Sequence, residues 1–462
     1  MRTHRGGLAR GQRAPRSAGH VPATAQCGRR RPPSRVRAGP GDRRIAAPAL
    51  REGLPDRRLR SDILTRLRAE QDGCAEQNGC AEQNGCAEQS LGRPQARSSQ
   101  LPPVSVIVPA RDADSTLPST LYSILAQDYA GEVEVIVADG SASTATRDLL
   151  RARYPSVLWI ANPSGGISAA LNLALAAARA AVIARCDAHS VLPRGYLTRA
   201  VATLERTGAD NVGGRQLPVG ATFFERAVAL VTGHTLGTGG ARYRVGGPEG
   251  PADTVFLGVF RREALERAGG WDETLERNED YELNWRLRQR GGTVWFDPGL
   301  VTAYRPRGTF RALARQYFDY GRWKAVVLAR HPRAWRARQL PAPVLVASLL
   351  LSAVLLAAAL FAPGPDASAA FAAAGAAAPI AYLLALAGGS AAIALRNPVL
   401  AGLLVPAVAA TIHIAWGAGF LASLPRAARA ALLEHTFATG PVGATKRAAG
   451  PSRAAGAGDR RP

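Results

Sequence analysis

V-S-V-I-V-P-A, residues 104–110, is a nearly continuous apolar run that closes on a proline, and its pattern returns three times downstream. E-V-E-V-I-V-A-D-G follows at 132–140, V-L-W-I-A-N at 157–162 and A-V-I-A-R-C at 181–186. Short β-rich runs bounded by polar residues read as strands buried on both faces. Helix-length segments separate them at 115–127, 145–154 and 168–179, the first with Leu117, Leu121, Ile124 and Leu125 at helical spacing. Strands alternating with helices of this length predict an α/β fold with a mostly parallel sheet.

Ligands of such sheets sit beyond the carboxyl ends of the strands, so the polar residues there belong together. They are Arg111 and Asp112, Asp139, Asn162, and Asp187 with His189. The set suits a nucleotide-sugar. Asp139 precedes Gly140-Ser141, where glycine lets the chain turn sharply. Its carboxylate either accepts from a ribose hydroxyl or a base N–H, or caps the serine-rich turn that follows. Asp187 and His189 offer one hard oxygen and one imidazole nitrogen, facing the same way if the strand continues that far. A divalent cation between them and a diphosphate would neutralise charge as the phosphate leaves. Taken alone, His189 reads as a hydrogen-bonded turn residue.

W-D-E-T-L-E-R-N-E-D-Y-E-L-N-W-R-L-R-Q-R-G-G (271–292) carries the candidate base. The pattern predicts Asn278 as a helix cap, Glu279 and Asp280 in the first turn, Leu283 and Leu287 on one face, and Gly291 as the stop. First-turn acids are ordinary partners of the helix dipole. Following the Gly-Gly-Trp turn at 269–271, they also stand where Asp280, with Glu279 beside it, can reach the mouth of the sheet as a general base.

The formal net charge is +23 over 462 residues and is unevenly placed. Residues 1–100 hold 20 arginines, no lysine and nine acids, with a polar repeat, D-G-C-A-E-Q then N-G-C-A-E-Q twice, at 72–89. This composition predicts a disordered arm without a core of its own. Four of the five cysteines lie there, and three of them, Cys74, Cys80 and Cys86, keep a six-residue period that matches no zinc pattern, which leaves Cys186 and no disulfide framework. The arm has no aromatic residue to stack bases, so it predicts non-specific electrostatics and no specific nucleic acid. It lacks the order of a signal peptide, and translation is expected to start later, near Val104.

Three uncharged runs, 340–362, 367–395 and 398–424, are each long enough to span a bilayer. Nine arginines, one lysine and a single acid at 302–340 predict that everything upstream is cytoplasmic, in the cell membrane. The basic tail then conflicts with an odd number of spans unless one run is re-entrant. The expected organisation is an arm (1–100), an α/β domain (101–305), basic interfacial helices (306–339), about three transmembrane helices (340–424) and a basic disordered tail (425–462).

Together these motifs resemble family 2 of the glycosyltransferases, with its GT-A fold, from Val104 to about Trp323. V-S-V-I-V-P looks like the family's opening strand, E-V-I-V-A-D-G-S-A-S its second acidic motif and N-P-S-G-G-I-S-A-A-L-N its Asn…Gly…Asn segment. R-C-D-A-H stands at the DxD position, and F-R-R-E-A-L-E-R-A-G-G-W-D-E with N-E-D looks like the acceptor and ED region. The resemblance implies that Pro109, Arg111, Asp112, Asp139, Asn162 and Asp187 bind the nucleotide-sugar. Asp187 and His189 would hold Mg or Mn, and Asp280 would be the base of an inverting single displacement. Q-Y-F-D-Y-G-R-W (316–323) is similar to the family's Gln-x-x-Arg-Trp element but with extra residues, five in place of two, between Gln316 and Arg322. Gln316 and Arg322 would then serve the acceptor or the departing diphosphate, and Trp323 would stack on a sugar or, with Tyr317, anchor at the membrane interface. The chain departs from the family pattern at Asp112, at Asp139-Gly140 and in Asp-Ala-His. With H-I-A-W-G-A-G-F (413–420), it is similar to the membrane-bound subgroup typified by succinoglycan-biosynthesis glucosyltransferases. That implies a nucleotide-sugar donor, a UDP-sugar first, and a lipid-linked saccharide or exopolysaccharide acceptor in contact with membrane lipids. The competing expectations are a processive polysaccharide synthase and a catalytically weak scaffold with an anion-binding arm.

Overall fold

A computed structural model describes residues 101–397 and 399–439, with side chains as far as Pro425. The arginine-rich arm, its repeat and its four cysteines lie outside the described residues.

The α/β part runs β1 (Val104–Ala110), α1 (Leu117–Leu125), β2 (Val133–Asp139), α2 (Ala145–Arg153), β3 (Leu158–Ala161), α3 (Ile167–Ala177), β4 (Val182–Arg185) and α4 (Tyr196–Thr207). It continues with β5 (Asn211–Pro218), α5 (Phe223–Thr232), the helical turns Thr235–Thr238 and Arg242–Val245, β6 (Gly250–Pro251), β7 (Phe256–Arg261), α6 (Arg262–Ala268), α7 (Glu279–Gln289) and β8 (Val294–Tyr304). The eight strands form one sheet in the order β3-β2-β1-β4-β7-β5-β8-β6. β1 pairs in parallel with β2 and β4, β2 with β3, and β5 with β8. β7 enters antiparallel between β4 and β5, and β6 caps the edge antiparallel to β8. This is a GT-A-like α/β fold with a mostly parallel sheet.

Alternation along the strands explains why both faces are covered. Val106, Val108, Val135 and Val137 point to one face, where Leu117 and Leu121 of α1 and Leu197 and Leu204 of α4 complete a core. Ile107, Ile136 and Ile183 point to the other, against Leu171 of α3, Leu265 of α6, and Leu283 and Leu287 of α7. The central strands are therefore apolar at nearly every position, because neither face meets water.

Two local expectations are corrected. β4 ends at Arg185, and the Ser190 amide donates to the Asp187 carbonyl at 2.8 Å. The chain thus turns, and strand alternation does not relate Asp187 to His189. Asn278 does not cap α7 with its side chain. It takes a left-handed conformation (φ 63°), and its amide donates to the Tyr320 carbonyl at 3.3 Å.

Beyond the sheet, α8 (Phe310–Arg330) and two 3-10 turns, Pro332–Ala334 and Ala337–Gln339, lead into α9 (Pro341–Leu360), α10 (Pro365–Arg396) and α11 (Val405–Thr439). Three helical segments, Ala337–Leu360, Pro365–Arg396 and Leu400–Pro425, are long and apolar enough to cross a membrane. Leu350, Val354 and Leu384 are each more than half exposed on them, an apolar surface that suits lipid better than water. α11 runs on to Thr439, so the first part of the tail expected to be disordered is helical; its alanines, leucines and arginines are strong helix formers.

The α/β part grips these helices through α5 and α8. Ala227, Val228 and Val231 of α5 share a core with Leu386, Ile393, Val405, Val408 and Ile412. At α8 the backbones themselves meet. A Cβ on Gly321 would lie 2.0 Å from the Trp416 carbonyl oxygen, and one on Gly419 would lie 2.1 Å from that of Phe318. Only glycine permits such an approach, as at the small-residue contacts of membrane helices. Gly321→Ala is therefore expected to push α8 from α11 and destabilise the fold by about 1–3 kcal/mol. Gly388→Ala, whose Cβ would meet nothing within 4 Å, is the matched control, and thermal unfolding of the two variants in detergent tests the difference.

Candidate active site

A cavity of about 1290 Å³ opens beyond the carboxyl ends of β1, β3 and β4. Pro109, Arg111 and Asp112 line it from the end of β1, Asn162 from the end of β3, Asp187 and His189 from the turn after β4, and Glu279 and Asp280 from the start of α7.

Arg185 assembles the centre. It is the last residue of β4, 4% exposed, and its guanidinium reaches three carboxylates. Nε donates to Asp187 Oδ1 at 3.0 Å, Nη2 to Glu279 Oε1 at 3.1 Å, and Nη1 to Asp280 Oδ1. Burial works against the guanidinium charge, but Asp187, Asp280 and Glu279 together hold its pKa well above the usual arginine value. Burial raises the Asp187 carboxyl, and Arg185 first and His189 second more than offset it, so its pKa falls below the usual range. Glu279 goes the other way: burial raises it, Arg185 opposes, and the neighbouring Asp280 and Asp187 add to the rise. One buried cation thus leaves Asp187 and Glu279 shifted in opposite directions.

Asp280 is also fixed by Trp271, whose indole N–H donates to Oδ1 at 3.1 Å. Asn172 positions that tryptophan: its Oδ1 accepts from the Trp271 amide at 2.9 Å, and its Nδ2 donates to the Trp271 carbonyl at 2.8 Å. With Oδ1 shared by Arg185 and Trp271, Asp280 Oδ2 carries no hydrogen bond from the described residues, and Asp280 is more exposed than Glu279.

Asp139 does not line the cavity. It is 5% exposed; Ser141 donates to its Oδ1 from both amide and hydroxyl, and Trp159 Nε1 donates to Oδ2 at 3.3 Å. Ser141 Oγ in turn accepts from the Asp112 amide at 2.8 Å, where Asp112 is left-handed (φ 50°). Asp139 therefore holds the loop that presents Arg111 and Asp112. Asn162 similarly knits its own turn, donating to the Gly166 carbonyl at 2.9 Å and accepting from Ser164 Oγ at 2.8 Å.

The Gln…Arg-Trp element divides. Gln316 lines the cavity and donates to the Tyr304 and Tyr320 hydroxyls at 3.2 and 3.1 Å. Arg322 and Trp323 do not line it. Arg322 is exposed near Glu276, at 3.9 Å, with its guanidinium over the Trp323 ring. Trp323 packs against a cluster of Leu275, Tyr281, Val327 and Ala334. Five residues separate Gln316 from Arg322 instead of two, and six helical steps set Arg322 about 120° around α8 from Gln316.

Two residues escaped the sequence reading. Arg185 had a signal, since a charge closing an apolar strand must be paired. Lys324 had none: it is one basic residue among many before the first apolar helix, yet it is 6% exposed and lines the cavity.

Residues 105–269 match the family described as Glycosyl transferase family 2. Succinoglycan biosynthesis protein ExoA of Rhizobium meliloti (strain 1021) is 32% identical over 320 residues, covering 68% of this chain and 93% of that protein. Pre-mycofactocin glycosyltransferase of Mycobacterium tuberculosis is 29% identical over 238 residues, covering 50% of this chain and 48% of that protein. Among solved structures, mannosyltransferase PcManGT from Pyrobaculum calidifontis in complex with GDP-Man and Mn2+ has a TM-score of 0.48 at 21% identity, covering 78% of this chain and 98% of that chain. Matched along nearly the whole length of the Rhizobium protein, the chain belongs to glycosyl transferase family 2 and is a glycosyltransferase.

Proposed function

We propose that this glycosyltransferase moves a sugar from a nucleotide-sugar, a UDP-sugar first among candidates, to a lipid-linked saccharide or growing exopolysaccharide at the membrane, with inversion at the anomeric carbon. One observation carries the reading. The carboxylates gathered by Arg185 line the same cavity as Leu345, Leu386 and Ile412 of the three apolar helices. An acceptor arriving along those helices meets the acids without leaving the cavity. The relative named for succinoglycan biosynthesis supports an extracellular polysaccharide as the end product. The arginine-rich approach to α9 supports a cytoplasmic site at the cell membrane.

Asp280 is the base. Its Oδ2 accepts the acceptor hydroxyl and takes the proton as that oxygen bonds to the anomeric carbon; the bond from that carbon to the phosphate oxygen breaks, and the nucleoside diphosphate leaves with the electron pair. Arg185 and Trp271 fix the carboxylate, so the hydroxyl is oriented before reaction. Arg111, Asp112 and Asn162 stand on the nucleotide side, on loops braced by Asp139 and Ser141.

Asp187 and His189, which both line the cavity, are the residues that would hold a divalent cation. Among the described residues no group of three or more His, Cys, Asp or Glu is placed to hold a metal ion. A cation here would take its other ligands from the diphosphate and water, as hard cations at phosphates commonly do. When bound, it supplies positive charge to the departing diphosphate.

Three outcomes test this reading. Membranes given labelled nucleotide-sugars should yield a lipid-extractable labelled product, and failure with every donor tried counts against the acceptor class. Asp280→Asn should lower kcat by about 10²–10⁴-fold while nucleoside diphosphate binding stays unchanged; undiminished turnover would remove Asp280 as the base. Arg185→Met strips the counter-charge from three buried acids and should destabilise the fold by about 3–5 kcal/mol at neutral pH. Because the folded Asp187 carboxyl sits below its unfolded value, its stabilisation is present above the unfolded value and lost as pH falls through the folded one. The stability gap between wild type and Arg185→Met should therefore narrow on acidification, as denaturant titrations at several pH values would show.

A further inference from the structure

The cavity also carries two cations that the carboxylates do not use, Lys324 and Arg244. Lys324 on α8 lines it with its Nζ 3.1 Å from the centroid of the Tyr281 ring, and it makes no ion pair among the described residues. The acid that acts on it, Asp253, is already taken by Arg338 and, at 3.8 Å, by Arg336. Burial first, and Arg338 second, hold the Lys324 ammonium well below the usual lysine value. Arg244, from the turn after α5, lines the same cavity with its guanidinium over the rings of Tyr243 and Tyr304, at 5.3 and 5.9 Å, and likewise has no acid partner among the described residues. Two cations without counter-ions, set among aromatic rings in one cavity, are costly unless an anion joins them.

The position indicates which anion. Tyr281, under Lys324, is the chain neighbour of Asp280, so the cationic centre adjoins the carboxylates. Leu345, Leu386 and Ile412 on the three apolar helices line the same cavity. The donor's diphosphate has its own place at the strand ends, by Asp187 and His189. We propose that Lys324 and Arg244 seat the phosphate that joins the acceptor saccharide to its lipid, with the lipid chain lying against the apolar helices. This rests on the lipid-linked acceptor proposed above and adds the residues that would select it: a neutral glycolipid would leave both cations unpaired, whereas a phospho- or diphospholipid pairs them through charge-assisted hydrogen bonds.

The test reads binding without donor or turnover. Full-length protein in phosphatidylcholine nanodiscs is titrated calorimetrically with farnesyl diphosphate, inorganic pyrophosphate and farnesol, as wild type, Lys324→Met and Arg244→Met. The expected result is that farnesyl diphosphate binds wild type at least about tenfold more tightly than either fragment, and that each substitution lowers its affinity by about tenfold or more. Lys324→Met should also melt no lower than wild type, since it removes an unpaired buried charge. Three results would overturn the proposal: undiminished affinity in Lys324→Met, equal binding of pyrophosphate and farnesyl diphosphate, or a lowered melting temperature that makes Lys324 a structural residue. Nucleoside diphosphate release from labelled donors is measured in parallel. Release without farnesyl diphosphate binding removes only the phosphate seat; binding without release leaves the seat and removes the transfer reaction.

Discussion

A guanidinium buried at the end of a central strand has to find acids, and the architecture around the cavity follows from where they come. Arg185 takes Asp187 from the turn beside it and Glu279-Asp280 from a helix more than ninety residues further on. The first acid belongs to the parallel half of the sheet, and the others enter after the antiparallel insertion of β7. The planar fork therefore rivets two halves of the chain at a fixed spacing, which a flexible ammonium would do less well. Pairing one charge with three also leaves excess negative charge, and that surplus makes the place attractive to a cation beside Asp187 and to a proton at Glu279.

Around that rivet, the polar residues near the strand ends mostly serve one another. Asp139 grips Ser141, Ser141 grips the left-handed Asp112, and Asn172 clamps the turn that delivers Trp271 to Asp280. Few of these side chains are free to meet a substrate directly. Their work is to hold loops whose backbones would otherwise wander, so that a small number of exposed atoms, Asp280 Oδ2 foremost, stay in register. Preorganisation of this kind lowers the reorganisation left for the reaction itself.

The runs of β1, β2 and β4 were legible because burial on both faces forces nearly continuous apolar sequence, whereas the edge strand β3 exposes Leu158. The gathering of strand-end residues at one cavity was legible for the same reason, since a parallel sheet delivers all its carboxyl ends to one edge. Side-chain direction was not. Asp139 sits where the sequence puts it, yet it faces its own turn, because Ser141 and Trp159 offer nearer donors than any ligand. Asn278 resembles a cap, yet its φ of 63° and its bond to Tyr320 bind it to α8. The longer spacing between Gln316 and Arg322 was visible, but its consequence depended on which side of α8 meets the cavity. That is fixed by the contact of Gly321 with α11, a tertiary fact with no local signature.

The same contact gives the cavity its character. Because Gly321 and Gly419 let two backbones touch, α8 lies against the apolar helices and carries Gln316, Tyr317, Tyr320 and Lys324 into the space between them and the sheet. A bulkier seam would separate the polar chemistry from the apolar helices by a layer of side chains, and a lipid-borne substrate would have to leave its solvent to react. With the seam closed, one cavity holds the strand-end loops, the acids around Arg185, Lys324 and Arg244 beside tyrosines, and leucine and isoleucine of the apolar helices. In the proposed reaction the donor enters from water and the acceptor from the bilayer. Each keeps its charged group beside opposite charge, and the two meet where the Asp280 oxygen that no described residue engages can take the proton.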